Sequence, residues 1–214
     1  MNYIDTLKNY KLVFFDFDGV IKESVDVKTQ AFKSMFKNYG DDLKNRIEEH
    51  HLSNGGISRY LKIPIYLEWA GIEVNQNIID KYASNFSSLV VDAVVNSCWV
   101  KGALEYLEAN KEEQRFVLIT ATPDEEIDLI LSELKIKQYF CDVFGSSVNK
   151  IKAISLSLNK YQIANKNAVM IGDSSTDMEA AIGNSVDFIL RSASYNKSLQ
   201  KMFNGPHIKD FNNE

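Results

Sequence analysis

Cysteine and excess positive charge are both in short supply in this 214-residue chain, and it has no long apolar run. Its two cysteines, Cys98 and Cys141, stand far apart and match no metal-ligand spacing. They are expected to be buried apolar side chains in a reducing compartment. Lys and Arg number 24 against 29 Asp and Glu, a net charge of −5. No face for nucleic acid is expected from that balance, because such a face needs clustered positive charge. The apolar runs fall well short of the ~20 residues a membrane span needs. Met1 to Tyr10 carries Asp5, Lys8 and Asn9 with no apolar core before a cleavage site, unlike a signal peptide. The cytoplasm is the expected location, with no membrane partner. Internal repeats and low-complexity tracts are also missing. What remains is 45% hydrophobic and 25% charged residues, enough for a real core, at a length that suits one domain with an insertion or two small domains.

Lys11-Leu12-Val13-Phe14-Phe15 is a short apolar run ending in acids and Gly19, the pattern of a strand covered on both faces. Arg115 to Thr120, Ala168 to Gly172 and Val186 to Leu190 repeat it, with a weaker candidate at Val143-Phe144. Between them lie helical patterns: Glu125 to Leu134, Lys150 to Leu158 and Asp177 to Ile182. The alternation predicts an α/β fold, a doubly wound, Rossmann-like parallel sheet with right-handed crossovers. Residues 23–95 break it, offering only helical stretches (Val27 to Tyr39, Asp41 to His51, Asn77 to Val95) with turns at Gly40, Gly55-Gly56 and Gly71. They are read as an all-helical cap domain inserted after the first strand, with residues 1–22 and 96–214 forming the α/β core. Its hinges are expected near Ile21 to Ser24 and Asn96 to Gly102.

Thr122-Pro123-Asp124-Glu125 and Thr176-Asp177-Met178-Glu179 both have capping-box spacing directly after a strand. Ligands of open α/β sheets bind outside the carboxyl ends of the strands. Asp16, Thr120 and Asp173 should therefore converge on one sheet edge. Asp16 and Asp18, two apart on extended chain, point the same way, and Gly19 lets the backbone turn beside a ligand. Asp173 adds a third carboxylate. The set is all oxygen, with no His or Cys, which suits Mg²⁺ rather than zinc. Phosphoryl transfer needs such a set: a nucleophile in line, cations for the equatorial oxygens and a proton donor for the leaving group. His50 and His51, as helix neighbours, face apart and make a poor metal site. Trp69 and Trp99 are read as packing.

Phe15-Asp16-Phe17-Asp18-Gly19-Val20-Ile21 after an apolar strand resembles the first motif of the haloacid dehalogenase superfamily. Ile119-Thr120-Ala121-Thr122-Pro123 resembles its second motif. Ile171-Gly172-Asp173-Ser174-Ser175-Thr176-Asp177 resembles its fourth. The resemblance covers nearly the whole chain and points to the phosphoglycolate phosphatase and β-phosphoglucomutase-like branch. It implies that Asp16 attacks phosphorus, while Asp18 protonates the departing oxygen and then activates water. Mg²⁺ would be held by the Asp16 carboxylate, the Asp18 carbonyl and Asp173, with Asp177 behind them. Thr120, with neighbouring amides at Gly19 and Ala121, would bind the phosphoryl oxygens. The family's lysine is assigned to Lys150, with Lys152 as the alternative. Gly55-Gly56-Ile57-Ser58-Arg59 resembles a Gly-x-Ser-Arg stretch in related caps, which makes Arg59 a candidate for a second anionic group on the substrate.

The expected activity is that of a Mg-dependent phosphatase, a phosphoric monoester hydrolase, on a small-molecule phosphate ester such as a sugar phosphate. A phosphomutase shares the same groups, although Gly172 replaces the Glu common before that Asp in mutases. A non-catalytic binding protein on this fold is the reading from another class. The sequence carries no signal of oligomeric state.

Overall fold

The computed structural model describes residues 3–212. Its centre is a six-stranded, all-parallel sheet: β1 (Leu12–Phe15), β2 (Arg115–Ile119), β3 (Phe140–Phe144), β4 (Ala168–Gly172), β5 (Asp187–Arg191) and β6 (His207–Ile208). The spatial order is β3-β2-β1-β4-β5-β6. Helices run between the strands: α1 (Tyr3–Leu7), α2 (Val25–Met35), α3 (Asp41–Ser53), α4 (Arg59–Trp69), α5 (Gln76–Val95), α6 (Ala103–Asn110), α7 (Asp124–Glu133), α8 (Lys150–Tyr161), α9 (Ser175–Gly183) and α10 (Lys197–Met202). None of them is long and apolar enough to cross a membrane.

The inner strands are apolar on both sides because the sheet is covered on both sides. Leu12 and Phe14 of β1 join Val117 and Ile119 of β2 and Met170 of β4 under α8 and α9. Val13 and Phe15 join Phe116, Leu118 and Ile171 on the opposite face, against α6 and α7. Phe15 packs edge-on against Phe116 and Tyr106, with ring centroids 5.4 and 6.3 Å away. This aromatic cluster fixes the end of β1 beneath Asp16. Truncating a ring buried this way costs about 3–5 kcal/mol.

The edges explain where the sequence pattern was weakest. β3 begins at Phe140, ahead of the expected Val143-Phe144, and exposes Cys141 while Asp142 accepts from Lys160 and Tyr161. An edge strand need not be apolar throughout. At the other edge β6 is two residues long, too short to show a period. Both cysteines are exposed, contrary to the expected burial. Cys141 sits on the edge strand, and Cys98 lies where the chain re-enters the sheet layer.

Helices α2–α5 lie between β1 and β2 and pack on one another through Phe32, Phe36, Ile63, Tyr66 and Phe86. α4 was not among the expected helices, since Pro64 interrupts its pattern. Ser58 caps it by accepting from the Tyr60 amide at 3.4 Å. The two chain crossings to this layer run side by side: Glu23 N–H donates to Cys98 O (2.8 Å) and Val100 N–H to Ile21 O (3.0 Å). Lys22, buried there, donates to Val95 O at 3.0 Å and lies over the Trp99 ring.

The expected helix caps need correction. α7 starts at Asp124, and the residue before it is Pro123, which gives no side-chain cap. The Asp124 carboxylate instead accepts the Gly145 and Ser147 amides. α9 is capped by Ser174 with Asp177 as the reciprocal partner, two residues ahead of the expected Thr176 and Glu179. Asp177 reaches back to the Ser174 amide (3.1 Å) and hydroxyl (2.6 Å).

Candidate active site

Strand order reverses between β1 and β4, so their carboxyl ends stand side by side at the switch point where such sheets bind ligands. Phe15 pairs with Ile171, and the Asp16 amide donates to Ile171 O at 3.0 Å. Asp16 and Asp173, each one residue past its strand, are thereby neighbours. Carboxylate oxygens of Asp16, Asp173 and Asp177 lie within 4.8 Å of one another, and all three residues are buried. Lys150, the first residue of α8, puts its Nζ 3.2 Å from Asp16 and 2.6 Å from Asp177. Lys152 is exposed, and its amide is occupied by the Asn149 cap.

Asp16 Oδ1 also accepts the Phe17 amide at 2.8 Å. Burial raises the Asp16 carboxyl well above its ordinary value; Lys150 opposes this, and Asp177, Asp173 and Asp18 add to it. Asp173 is pushed up to about 7, first by burial and then by Asp177. Burial works against the charge on Lys150, but Asp16 and Asp177 outweigh it and hold the ammonium above its usual range. The cluster is short of positive charge. A hard divalent cation suits an all-oxygen set of this kind. Lys150 contacts both Asp16 and Asp177, the latter more closely.

Asp18 turns to the other side of the same cavity. Its Oδ2 accepts from Lys28 Nζ at 2.5 Å and its Oδ1 from Ser24 Oγ at 2.6 Å. Lys28 also donates to Thr122 Oγ1 at 2.8 Å. Burial would raise Asp18, but Lys28 and the Ser24 hydroxyl outweigh it and hold the carboxyl below its ordinary value. Thr120, buried just past β2, accepts the Thr122 amide at 3.2 Å. Thr120 and Ala121 both line the cavity.

Gly19 has φ +79°, and a Cβ there would fall on the Tyr195 hydroxyl and the Asp173 carboxylate. Tyr195 donates to Asp173 Oδ2 at 2.5 Å, and Asn196 Nδ2 holds the Asp173 carbonyl at 2.8 Å. From the helical layer, Gly56 (φ +74°) sits against Ser174, Thr176 and Lys150 so closely that a Cβ would strike Thr176 Oγ1. The inserted helices therefore touch the α9 start directly.

The cavity between the two layers measures about 280 Å³. Its acids, Asp16, Asp18 and Asp173, come from the sheet side, and its cations Lys28, Arg59 and Lys62 from the helical side. Arg59 borders it but is committed elsewhere, donating to Glu126 of α7 at 2.8 and 2.5 Å and to Ser87 at 2.7 Å. Its guanidinium also lies over the Phe86 ring at 4.5 Å. Lys62 is buried with Nζ 3.0 Å from His51 Nδ1. Burial and then Lys28 push Lys62 down to about 7, although Asp18 and Asp173 raise it. Burial, Lys62 and Lys28 hold His51 well below its ordinary value, so the ring is neutral. His50 turns away, 3.1 Å from the Tyr66 hydroxyl.

The sequence reading did not single out Lys28, Lys62, Glu126 or Tyr195, and it took His51 only as part of an unlikely metal pair. The spacing of Lys28, one helical turn past Ser24, was the one available signal. The others are joined to the site only by tertiary contacts.

A family model described as haloacid dehalogenase-like hydrolase matches residues 13–190. A phosphorylated carbohydrates phosphatase of Thermotoga maritima is 25% identical over 175 residues, 79% of each chain. Among solved structures, a predicted phosphoglycolate phosphatase of Haemophilus somnus superposes with a TM-score of 0.77 at 19% identity over 95% of both chains. CbbY of Rhodobacter sphaeroides, in complex with phosphate, gives 0.77 at 16% identity, covering 94% of this chain and 95% of its own.

Proposed function

This chain belongs to the haloacid dehalogenase-like hydrolases, and we propose that it is a Mg²⁺-dependent phosphatase that cleaves a small phosphorylated metabolite through an aspartyl-phosphate at Asp16. The observation that carries the reading is the contact of Lys150 with Asp16 and Asp177, beside Asp173 and across the cavity from Asp18. The Thermotoga relative, a phosphatase of phosphorylated carbohydrates by name, favours a sugar phosphate as substrate.

Each group has a task its environment suits. The Asp16 carboxylate, fixed by the Phe17 amide and Lys150, forms the new oxygen–phosphorus bond as the ester bond breaks. Asp18 gives a proton to the departing oxygen. It then takes one from the water that attacks phosphorus and frees Asp16. The first step draws on the protonated fraction of Asp18; Lys28 and Ser24 favour the charged form that it leaves behind, the form required for the second step. Thr120 and the Ala121 amide stand where phosphoryl oxygens are bound. Asp16, Asp173 and the Asp18 carbonyl would hold Mg²⁺, which supplies positive charge to the phosphoryl oxygens. Helices α2–α5, over residues 23–95, act as a cap that excludes bulk water and limits the substrate to what the cavity admits.

Phosphate release from p-nitrophenyl phosphate and from a panel of phosphorylated metabolites tests this, with Mg²⁺ and then with EDTA. Magnesium-dependent release by the wild type that is lost in Asp16→Asn is the expected result. Conversion to an isomeric phosphate ester with no free phosphate would identify a phosphomutase instead.

A further inference from the structure

We infer that Tyr195 is a positioning residue for the cation: its phenol occupies one oxygen of Asp173, so that Asp173 offers a divalent ion only the other, and this favours Mg²⁺ over Ca²⁺. The inference deepens the phosphatase reading and rests on it for the presence of a cation between Asp16 and Asp173.

Three separate chain segments meet at one hydrogen bond. Asp173 follows β4, Tyr195 lies between β5 and α10, and Gly19 lies in the turn after β1. Tyr195 donates to Asp173 Oδ2 at 2.5 Å. A Cβ on Gly19 would stand 2.1 Å from the phenol oxygen and 2.2 Å from Asp173 Oδ2, so the bond lies directly against the Gly19 backbone. Neither partner floats. Asn196 ties the two strand ends together, donating to Asp173 O at 2.8 Å and to Arg191 O at 2.9 Å. Its own Oδ1 accepts the Ala193 amide at 2.9 Å and Gln200 Nε2 at 2.6 Å. Gln200 also donates to Ala193 O at 2.7 Å. The segment that carries the phenol is thus braced on both sides of Tyr195.

The consequence follows from coordination chemistry. Mg²⁺ requires a near-octahedral shell, which a carboxylate chelating through both oxygens distorts, whereas Ca²⁺ accepts such chelation in a larger, flexible shell. The phenol is a donor at neutral pH and brings no charge. It therefore withholds one Asp173 oxygen from chelation and leaves the negative charge of the other for a one-point contact. Lys150 pairs with Asp16 and Asp177, and among the described residues Asp173 makes no ion pair. Groups behind a metal ligand change affinity by about 10–100-fold when removed, so the phenol is close enough to decide between two ions.

The test is calorimetric titration of Mg²⁺ and of Ca²⁺ into wild type and Tyr195→Phe, with melting temperatures in EDTA as a check on folding. In Tyr195→Phe the ratio of the Ca²⁺ to the Mg²⁺ dissociation constant should fall about tenfold or more, chiefly because Ca²⁺ binds more tightly. A merely structural tyrosine would, on removal, weaken both ions alike and leave the ratio fixed. The infrared carboxylate bands of the Ca²⁺-loaded proteins should show a chelating carboxylate in Tyr195→Phe that wild type lacks. Tyr195→Leu, which also lacks the hydroxyl, should shift the ratio in the same direction, and it replaces Tyr195→Phe if that variant does not fold. An unchanged ratio, or the same carboxylate bands in both proteins, would overturn the proposal, and the phosphatase reading would stand if Mg²⁺-dependent phosphate release persists. A shifted ratio in a protein whose wild type releases no phosphate would overturn the hydrolase reading and leave this role of Tyr195 intact.

Discussion

Arg59 and Glu126 form a forked, buried ion pair across the seam between the inserted helices and the sheet layer, with side chains 4% and 6% exposed. Removing one partner of such a pair strands the other charge and costs about 3–5 kcal/mol. Arg59→Met and Glu126→Gln should each lower stability in urea unfolding by roughly that amount, unless the helices swing away to rehydrate the survivor. Either way the double variant should be more stable than the sum of the two losses, with a coupling of about 1–3 kcal/mol. Additive losses would mean the two side chains do not act as a pair.

Lys28 should set the charge state of Asp18. An opposite charge this close lowers a carboxyl by about 1–3 pH units, and in its absence burial is left to raise Asp18. A step that needs ionised Asp18 is lost as pH falls through its pKa. Lys28→Met should therefore move the acidic limb of the kcat profile to higher pH by about one unit or more. An unmoved limb would show that Lys28 does not govern Asp18.

Lys62 makes a prediction about stability alone. Its pKa falls from 10.5 to about 7 on folding, through burial and Lys28. Between those values the unfolded chain binds the proton and the folded chain does not, so this group's penalty is full below about pH 7 and relieved as pH rises. His51, Asp18 and Asp173 are the other groups acting on it or touching it. The gain in melting temperature from Lys62→Met should be larger near pH 6 than near pH 9. An equal gain at both would indicate that Lys62 titrates normally.

Magnesium should stabilise the folded protein without any substrate. Ligand at about 100 times its Kd adds about 2.7 kcal/mol. The rise in melting temperature on adding Mg²⁺ should be much reduced in Asp173→Asn, while calorimetry shows weakened Mg²⁺ binding. Equal shifts in both proteins would remove Asp173 from the metal site.

The four central strands and the placement of Asp16, Thr120 and Asp173 were legible because both follow from local pattern: apolar runs, then polar residues at their ends. Lys150 was legible only as one of two lysines, and the fold separates it from Lys152 by pointing it at Asp16 and Asp177. α4 was hidden by Pro64, and β3 by the polar residues an edge strand tolerates. The roles of Glu126, Lys62 and Tyr195 were out of reach for a different reason. Each acquires its partner across 11 to 67 residues of chain, as in Lys62 with His51 and Arg59 with Glu126, and composition and periodicity say nothing of such pairings. Arg59 shows the same limit: the motif marked it, but its committed partner is a glutamate on α7.

The central claim is that phosphorus becomes bonded to Asp16. The most direct measurement is acid quenching during turnover of a hydrolysed ester, borohydride reduction and mass spectrometry of the peptide holding residue 16. An acyl phosphate there is reduced to homoserine, so the account predicts homoserine at position 16 in the wild type and none in Asp16→Asn, which should also release no phosphate. Full turnover with residue 16 still an unmodified aspartate at every quench time, or phosphate release by Asp16→Asn at the wild-type rate, would contradict it.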